Sequence, residues 1–357
     1  MRQIFNYISL SLFPYSFSQV TIPIMKRLCW LFLFFMFAVA GAGCSIQSKN
    51  GIVITPGVIG SESLVFPTDY ARIYDVVQTI TFKNTGNNQP EKLNLWVALI
   101  SNFPPYQEVH SMTISPSQFS FTTDEYDNRY AEFDFLDFQP GETLIVEISY
   151  DITLYPSQTD MSNCEGEIIQ DYTQPELYIE ANNPQIISLA ENLSIGAETV
   201  CQQVRSFYDY IGDNLIYTVN DHSWGAQATF GKMGADCTEY ASLLIALSRS
   251  QKIPARFLEG ILFLENEGEN GGKVEHAWLD LYLPGKGWVP MDPTLGRTPL
   301  TRGNYFGKVP ADHFIVTLGR NPSTLRGGSY FTYIYWPGNA TSIDLVDQSW
   351  QITPVTP

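Results

Sequence analysis

An N-terminal antiparallel β-sandwich followed by an α+β domain is the multidomain fold that this sequence predicts. Three observations carry it. Between residues 61 and 180 apolar residues recur with a period of two. After Pro184 the period lengthens to that of a helix. From Ala255 to the end the strand pattern returns. Helices first and an antiparallel sheet after them make an α+β unit.

The strand pattern is clearest in Leu144–Leu154. Val146, Ile148, Tyr150, Ile152 and Leu154 line one face, and Glu147, Ser149, Asp151 and Thr153 line the other. Ile73–Phe82 and Leu93–Ile100 are further strands. Turn clusters at Asn84-Thr85-Gly86-Asn87-Asn88, Phe103-Pro104-Pro105 and Gln139-Pro140-Gly141 separate them. Short strands at that spacing predict a sandwich. In the second half Val200, Val204, Phe207, Ile211 and Leu215 step by three and four, which predicts an amphipathic helix. A second helix is expected from about Asp236 to Ser250. The organisation is therefore 1–44, an extension with an export signal; 45–60, a tether; 61–180, the sandwich; 181–320, the α+β domain; and 321–357, C-terminal strands.

The chain has 357 residues, of which 44% are apolar and only 16% charged, so packed cores are expected. A net charge of −17 gives no basic face for nucleic acid. Solubility explains the acidity more simply. The acidic turn Asp124–Asn128 lacks a downstream Glu at calcium-loop spacing. The five cysteines contain no CxxC pair and the four histidines no HExxH pair, so no metal and no cofactor is expected. Gly225 to Gly231-Lys232 is one residue too long for a phosphate loop, and Met233 stands where Ser or Thr belongs. Cys164 and Cys201 either pair, as an oxidising compartment permits, or remain two buried thiols.

Met25-Lys26-Arg27, the apolar run Leu28–Ala42 and the small residues Gly41-Ala42-Gly43 before Cys44 have the order of a secretory signal. The segment resembles a bacterial lipoprotein signal, which implies Met25 as the true start and Cys44 as the acylated first residue. Ser45 after it resembles outer-membrane sorting in Gram-negative lipoproteins. The implied location is the bacterial cell envelope, lipid-anchored, on the periplasmic side or the surface. The alternative is one uncleaved anchor helix, although Leu28–Ala42 is short of the roughly 20 residues that a bilayer span needs.

The chemistry centres on Cys237. Asp236 and, three residues on, Glu239 form a capping-box pattern that puts Cys237 in the first turn of a helix. Backbone N–H groups and the positive helix end favour a thiolate there. A lone cysteine is as often a small buried hydrophobe. The second fragment, Lys273–Leu283, alternates. Ala277, Leu279, Leu281 and Leu283 face the helix, while His276, Trp278, Asp280 and Tyr282 face away. Pro284-Gly285-Lys286-Gly287 is a turn, and Trp288–Asp292 begins the return strand. A hairpin bent at residue 284 sets His276 almost directly opposite Asp292, where cross-strand side chains meet. A plain four-residue turn would pair 283 with 288 and send the two to opposite faces, so the arrangement requires a bulge or another loop length.

Gly234-Ala235-Asp236-Cys237-Thr238-Glu239-Tyr240-Ala241, then Ile253-Pro254-Ala255-Arg256, then His276-Ala277-Trp278, then Gly287-Trp288-Val289-Pro290-Met291-Asp292-Pro293-Thr294 resemble, in order, the transglutaminase-like core of bacterial proteins. The resemblance covers roughly 180–300. It implies a papain-like fold and a catalytic triad of Cys237, His276 and Asp292. It also implies a thiol enzyme acting on carboxamide or peptide bonds by hydrolysis, deamidation or amide transfer, with a protein or peptide of the cell envelope as substrate. The competing reading is a non-catalytic surface module that keeps the papain-like core as scaffold. Among secondary residues, Trp278 either walls the cleft beside His276 or belongs to the core. Trp224 either roofs the site or is an ordinary loop aromatic. The Cys237 backbone N–H is a natural oxyanion donor. His222 and His313 lack a following strand–turn–Asp unit and are set aside as bases.

Overall fold

The computed structural model describes residues 52–54, 70–90, 92–168, 171–219, 225–230, 234–265, 272–322, 333–337 and 342–355. The sequence readings at Met25, Cys44, His222 and Trp224 lie outside these residues. Among the described residues no helix is long and apolar enough to cross a membrane.

The strands are β1 (Ile52–Ile54), β2 (Arg72–Asn84), β3 (Leu93–Ala98), β4 (Gln107–Ser115), β5 (Ser120–Thr123), β6 (Arg129–Phe135), β7 (Thr143–Leu154) and β8 (Ser157–Gln158) in the first half. The helices α1 (Pro184–Leu193), α2 (Val200–Asn214) and α3 (Cys237–Ser250) follow. Then come β9 (Ala255–Leu264), β10 (Gly272–Leu283), β11 (Gly287–Met291), β12 (Lys308–Val309), β13 (His313–Leu318), β14 (Tyr333–Trp336) and β15 (Ile343–Val355).

Two sheets make the β-rich half, in the orders β1-β4-β7-β2-β15 and β14-β3-β6-β5. The alternation in β7 acts as its sequence requires: Val146, Ile148, Tyr150, Ile152 and Leu154 are buried in a core shared with Leu93, Leu95 and Val97 of β3 and Phe133 of β6. The C-terminal strands are part of this sandwich. β15 pairs with β2 along its whole length and β14 pairs with β3, so the chain returns to its first sheet after the α+β segment.

The second core lies between α3 and one face of the sheet β11-β10-β9-β13. Helix α3 is buried almost all round, and Leu243, Leu244 and Leu247 meet Ala277, Leu279 and Leu281 of β10 there. The predicted start of α3 holds, with Asp236 capping it in a reciprocal capping box with Glu239. Thr199 caps α2 in the same way with Gln202. Cys164 is joined to Cys201 of α2 by a disulfide with a Cα–Cα distance of 5.7 Å.

The two halves meet at β13, the edge strand of the α+β sheet. An open edge leaves backbone N–H and C=O groups unpaired. Side-chain amides of the sandwich fill that role. Gln107 donates from Nε2 to the Ile315 carbonyl at 2.9 Å and accepts from the Ile315 N–H at 2.9 Å. Asn128 does the same for both backbone groups of Leu318, at 2.7 and 2.8 Å. Tyr74 of β2 donates to the Ala311 carbonyl at 2.8 Å, and its ring packs edge-on against Phe314 and Phe263.

On its other side β13 lies against β9 at Gly260. A Cβ there would stand 1.8 Å from the Phe314 carbonyl oxygen, so only glycine allows this approach. Gly260→Ala should therefore cost about 3 kcal/mol in a denaturant titration, the upper range for a forced core contact. Gly303→Ala, where an added Cβ meets nothing within 4 Å, should change stability by no more than about 0.5 kcal/mol.

Candidate active site

Three elements converge on the site. Just before α3, Gly234 takes a left-handed φ of +125° against Thr218, and Ala235 forms a parallel bridge with Tyr217. This sets the chain direction into Asp236. The Asp236 carboxylate accepts from Thr238 N–H at 2.9 Å, and the Glu239 carboxylate accepts from Asp236 N–H at 2.9 Å. Such a cap contributes about 1 kcal/mol, and it fixes Cys237 as the first helical residue. Cys237 is partly exposed and carries a free thiol. Glu239 is buried, and burial together with the Asp236 charge raises its pKa. Asp236 and Glu239 thus act on the helix end rather than on the thiol.

The hairpin corrects the expected register. Leu283 pairs with Gly287 and Leu279 with Met291, so the bend is centred on residue 285 rather than 284. The loop has three residues, closed by the Lys286 N–H on the Leu283 carbonyl at 3.0 Å, with Gly285 and Gly287 at positive φ. Glycine supplies those left-handed positions at no steric cost. The odd-numbered loop restores the parity that a four-residue turn would break. His276 and Asp292 therefore share a face, but diagonally rather than directly opposite. His276 Nε2 lies 2.8 Å from Asp292 Oδ2.

Asp292 is fully buried, yet each of its oxygens is occupied. Oδ1 accepts from the backbone N–H groups of Thr294 and Leu295, both at 2.9 Å. Oδ2 receives His276 and, at 3.3 Å, Nε2 of His313. The Asp292 carbonyl accepts from the Tyr208 hydroxyl at 2.8 Å. Burial opposes the charge on Asp292, but the two imidazoles outweigh it and hold the carboxyl below its usual range. Burial likewise opposes charge on His276, while Asp292 and then the Cys237 thiol favour it, and the pKa rises to about 9. Since Nε2 faces Asp292, the Cys237 interaction falls to Nδ1.

Trp278 resolves its two readings together. It is 1% exposed and so belongs to the core, with Tyr106, Leu258 and Ile315 around it. Its ring also stacks on His276 with centroids 5.8 Å apart, which shields that imidazole. His313 is the residue that the sequence reading sets aside and the structure brings in. It enters from β13, and its ring meets Trp278 edge-on at 5.0 Å. No local pattern marks it, because its place depends on the order of strands in the sheet.

His276, Asp292 and His313 offer ligand atoms within 4.8 Å of one another, the spacing at which a metal could be held. The carboxylate already has two backbone donors and two ring donors, so hydrogen bonding accounts for its whole acceptor capacity.

Residues 187–293 match the family model of the transglutaminase-like superfamily. The chain carries a transglutaminase-like domain behind a β-rich region. A 149-residue stretch is 27% identical to YebA of Bacillus subtilis, an uncharacterised protein, covering 36% of this chain and only 20% of YebA's length. The solved structure of a candidate cysteine protease from Cytophaga hutchinsonii aligns over 80% of this chain and 92% of its own, with a TM-score of 0.58 and 17% identity. That likeness is one of fold. The periplasmic domain of TgpA from Pseudomonas aeruginosa aligns over 69% of this chain and 97% of its own, with 20% identity and a TM-score of 0.36.

The site makes stability depend on pH. His276 and His313 have folded-state pKa values of about 9 against an ordinary 6.5, so their contribution is complete below 6.5 and is lost as pH rises through 9. Glu259, pushed up to about 8 by burial, adds a loss of the same sign. Melting temperature should therefore fall from pH 6.5 to 9.5. Asp292→Asn should remove much of that fall, and thermal melts of both proteins across the range measure the difference.

Proposed function

We propose that this protein is an exported thiol enzyme that acts on carboxamide or peptide bonds through Cys237, His276 and Asp292. The observation that carries the reading is the buried Asp292 carboxylate holding His276 Nε2 at 2.8 Å, with the remaining ring nitrogen left for the free thiol at a helix start. The transglutaminase-like domain supports the same class of chemistry.

In this mechanism the Cys237 thiolate attacks the carbonyl carbon of a Gln side chain or a peptide bond. The Cys237 N–H, at the positive end of α3, stabilises the oxyanion. The C–N bond breaks as His276 passes its proton to the departing nitrogen, leaving a thioester on Cys237. Water or an amine then gives a proton to His276 and attacks the thioester, and the thiolate leaves. Asp292 keeps the imidazole in one orientation and balances its positive charge throughout, the part of the third group in a triad. The substrate is a protein or peptide of the cell envelope. The chain is held at a bacterial membrane by lipid on Cys44, after export directed by Met25–Gly43. The Cys164–Cys201 disulfide suits an oxidising compartment outside the cytoplasm.

Two measurements test this. Iodoacetamide on the folded soluble chain should modify Cys237, and His276→Ala should slow that reaction at least tenfold by removing the cation that pairs with the thiolate. Labelling at an unchanged rate in His276→Ala would sink the triad. Expression in a bacterium should yield a lipid-bearing product that begins at residue 44. An intact mass that retains Leu28–Ala42 would replace the lipid anchor by a helix.

A further inference from the structure

His313 is a second imidazole at the candidate site, and nothing in the mechanism above uses it. Its side chain is only 2% exposed. Nδ1 lies 2.5 Å from Asp312 Oδ1 and Nε2 lies 3.3 Å from Asp292 Oδ2. An ionised carboxylate can only accept hydrogen bonds, so an imidazole between two of them must carry protons on both nitrogens. The geometry thus makes His313 a cation. Its ring centroid is 5.9 Å from that of His276, and both rings direct Nε2 at the same oxygen, Oδ2 of Asp292. The row runs Asp312, His313, Asp292, His276, with carboxylate and imidazole alternating, and Cys237 stands beyond His276.

A buried ion pair kept for stability alone is a poor arrangement, because removing charges from water costs about as much as the pairing returns. A cation placed behind the orienting carboxylate has a definite effect on the site instead. We propose that His313 is a positioning residue for the Cys237–His276 couple: anchored by Asp312, it takes a share of the Asp292 carboxylate and so limits how strongly Asp292 holds the proton on His276. The inference rests on the reading of His276 as the general base. It gives that reading a physical refinement, because an imidazole that holds its proton too firmly cannot release it to the leaving nitrogen.

The charged and titratable groups around His313 are few. Asp312 precedes it on its own strand. Asp292 and His276 face it from the hairpin. The Tyr305 phenol feels both aspartates and is raised accordingly, after burial. Tyr74, reaching across from β2 to the Ala311 carbonyl, lies within the influence of Asp312 and is raised chiefly by burial. Neither phenol donates to the His313 ring, so the two carboxylates decide its charge.

The experiment is the pH dependence of the iodoacetamide reaction at Cys237 in the full folded chain. Where a thiolate is paired with an imidazolium, the rate changes in two steps, and the upper step reports loss of the His276 proton. His313→Gln keeps a neutral donor toward Asp292 but removes the cation. The upper step should then move to higher pH by about one unit, the size of effect that one neighbouring charge produces. A slower reaction with the upper step unmoved would mean that His313 only supports the fold, and would overturn the proposal.

Nitrogen NMR of histidine-labelled unmutated protein gives a second reading that needs no variant. His313 should show protons on both ring nitrogens at pH 7. A neutral His313 ring would overturn the proposal even if His313→Gln does not fold. An unreactive Cys237 beside a doubly protonated His313 would instead count against the enzyme reading and leave the charge assignment of His313 standing.

Discussion

A single buried carboxylate organises this site. Asp292 has no exposure, and an uncompensated charge in that position would cost several kcal/mol. The chain meets the demand from three directions. Backbone N–H groups of Thr294 and Leu295 hold one oxygen, and imidazoles from β10 and β13 hold the other. Tyr208, rising from α2, binds the carbonyl of the same residue. Helix, hairpin and edge strand are thus tied to one residue. The orientation of His276 toward Cys237 follows from how they are tied.

Much of this was legible in the sequence because local rules set it. The capping box at Asp236 and Glu239 puts Cys237 at the first helical position by hydrogen bonds that span only three residues. The alternation of His276, Trp278 and Asp280 against Ala277, Leu279 and Leu281 sets the two faces of β10. Both faces are buried, the aliphatic one in the core with α3 and Trp278 in a separate cluster with Tyr106, Leu258 and Ile315. The hairpin was legible only up to its bend. Pro284-Gly285-Lys286-Gly287 announces a turn, but the backbone signs of Gly285 and Gly287 decide between three and four loop residues. That one residue determines whether His276 and Asp292 share a face at all.

His313 was not legible for a different reason. It lies 21 residues beyond Asp292 in the sequence, on a strand that is not the hairpin's neighbour. The order β11-β10-β9-β13 places it there, and sheet order is a global property that periodicity does not carry. The same holds for the C-terminal strands. Nothing in their composition says that β15 pairs with β2 rather than extending the second sheet, and only the length of the shared ladder shows why it does.

These two hidden facts are connected through the edge strand. β13 carries His313 at its start, and its open edge is closed not by another strand but by Gln107 and Asn128 of the sandwich. Paired amide side chains satisfy backbone groups as a neighbouring strand would, at the cost of depending on a body outside the sheet. On the other side Gly260 lets β13 close against β9. The position of His313 behind Asp292 is therefore set jointly by the sandwich and by one glycine. Ile261, Phe263, Phe314 and Val316 continue the sandwich core into the α+β sheet, so the apolar packing runs along the same line as the hydrogen bonds. Cutting the chain between the two halves would bare both backbone groups of Ile315 and of Leu318 and empty part of a shared core. The β-rich half is thereby part of what holds the carboxylate, and through it the histidine that faces Cys237.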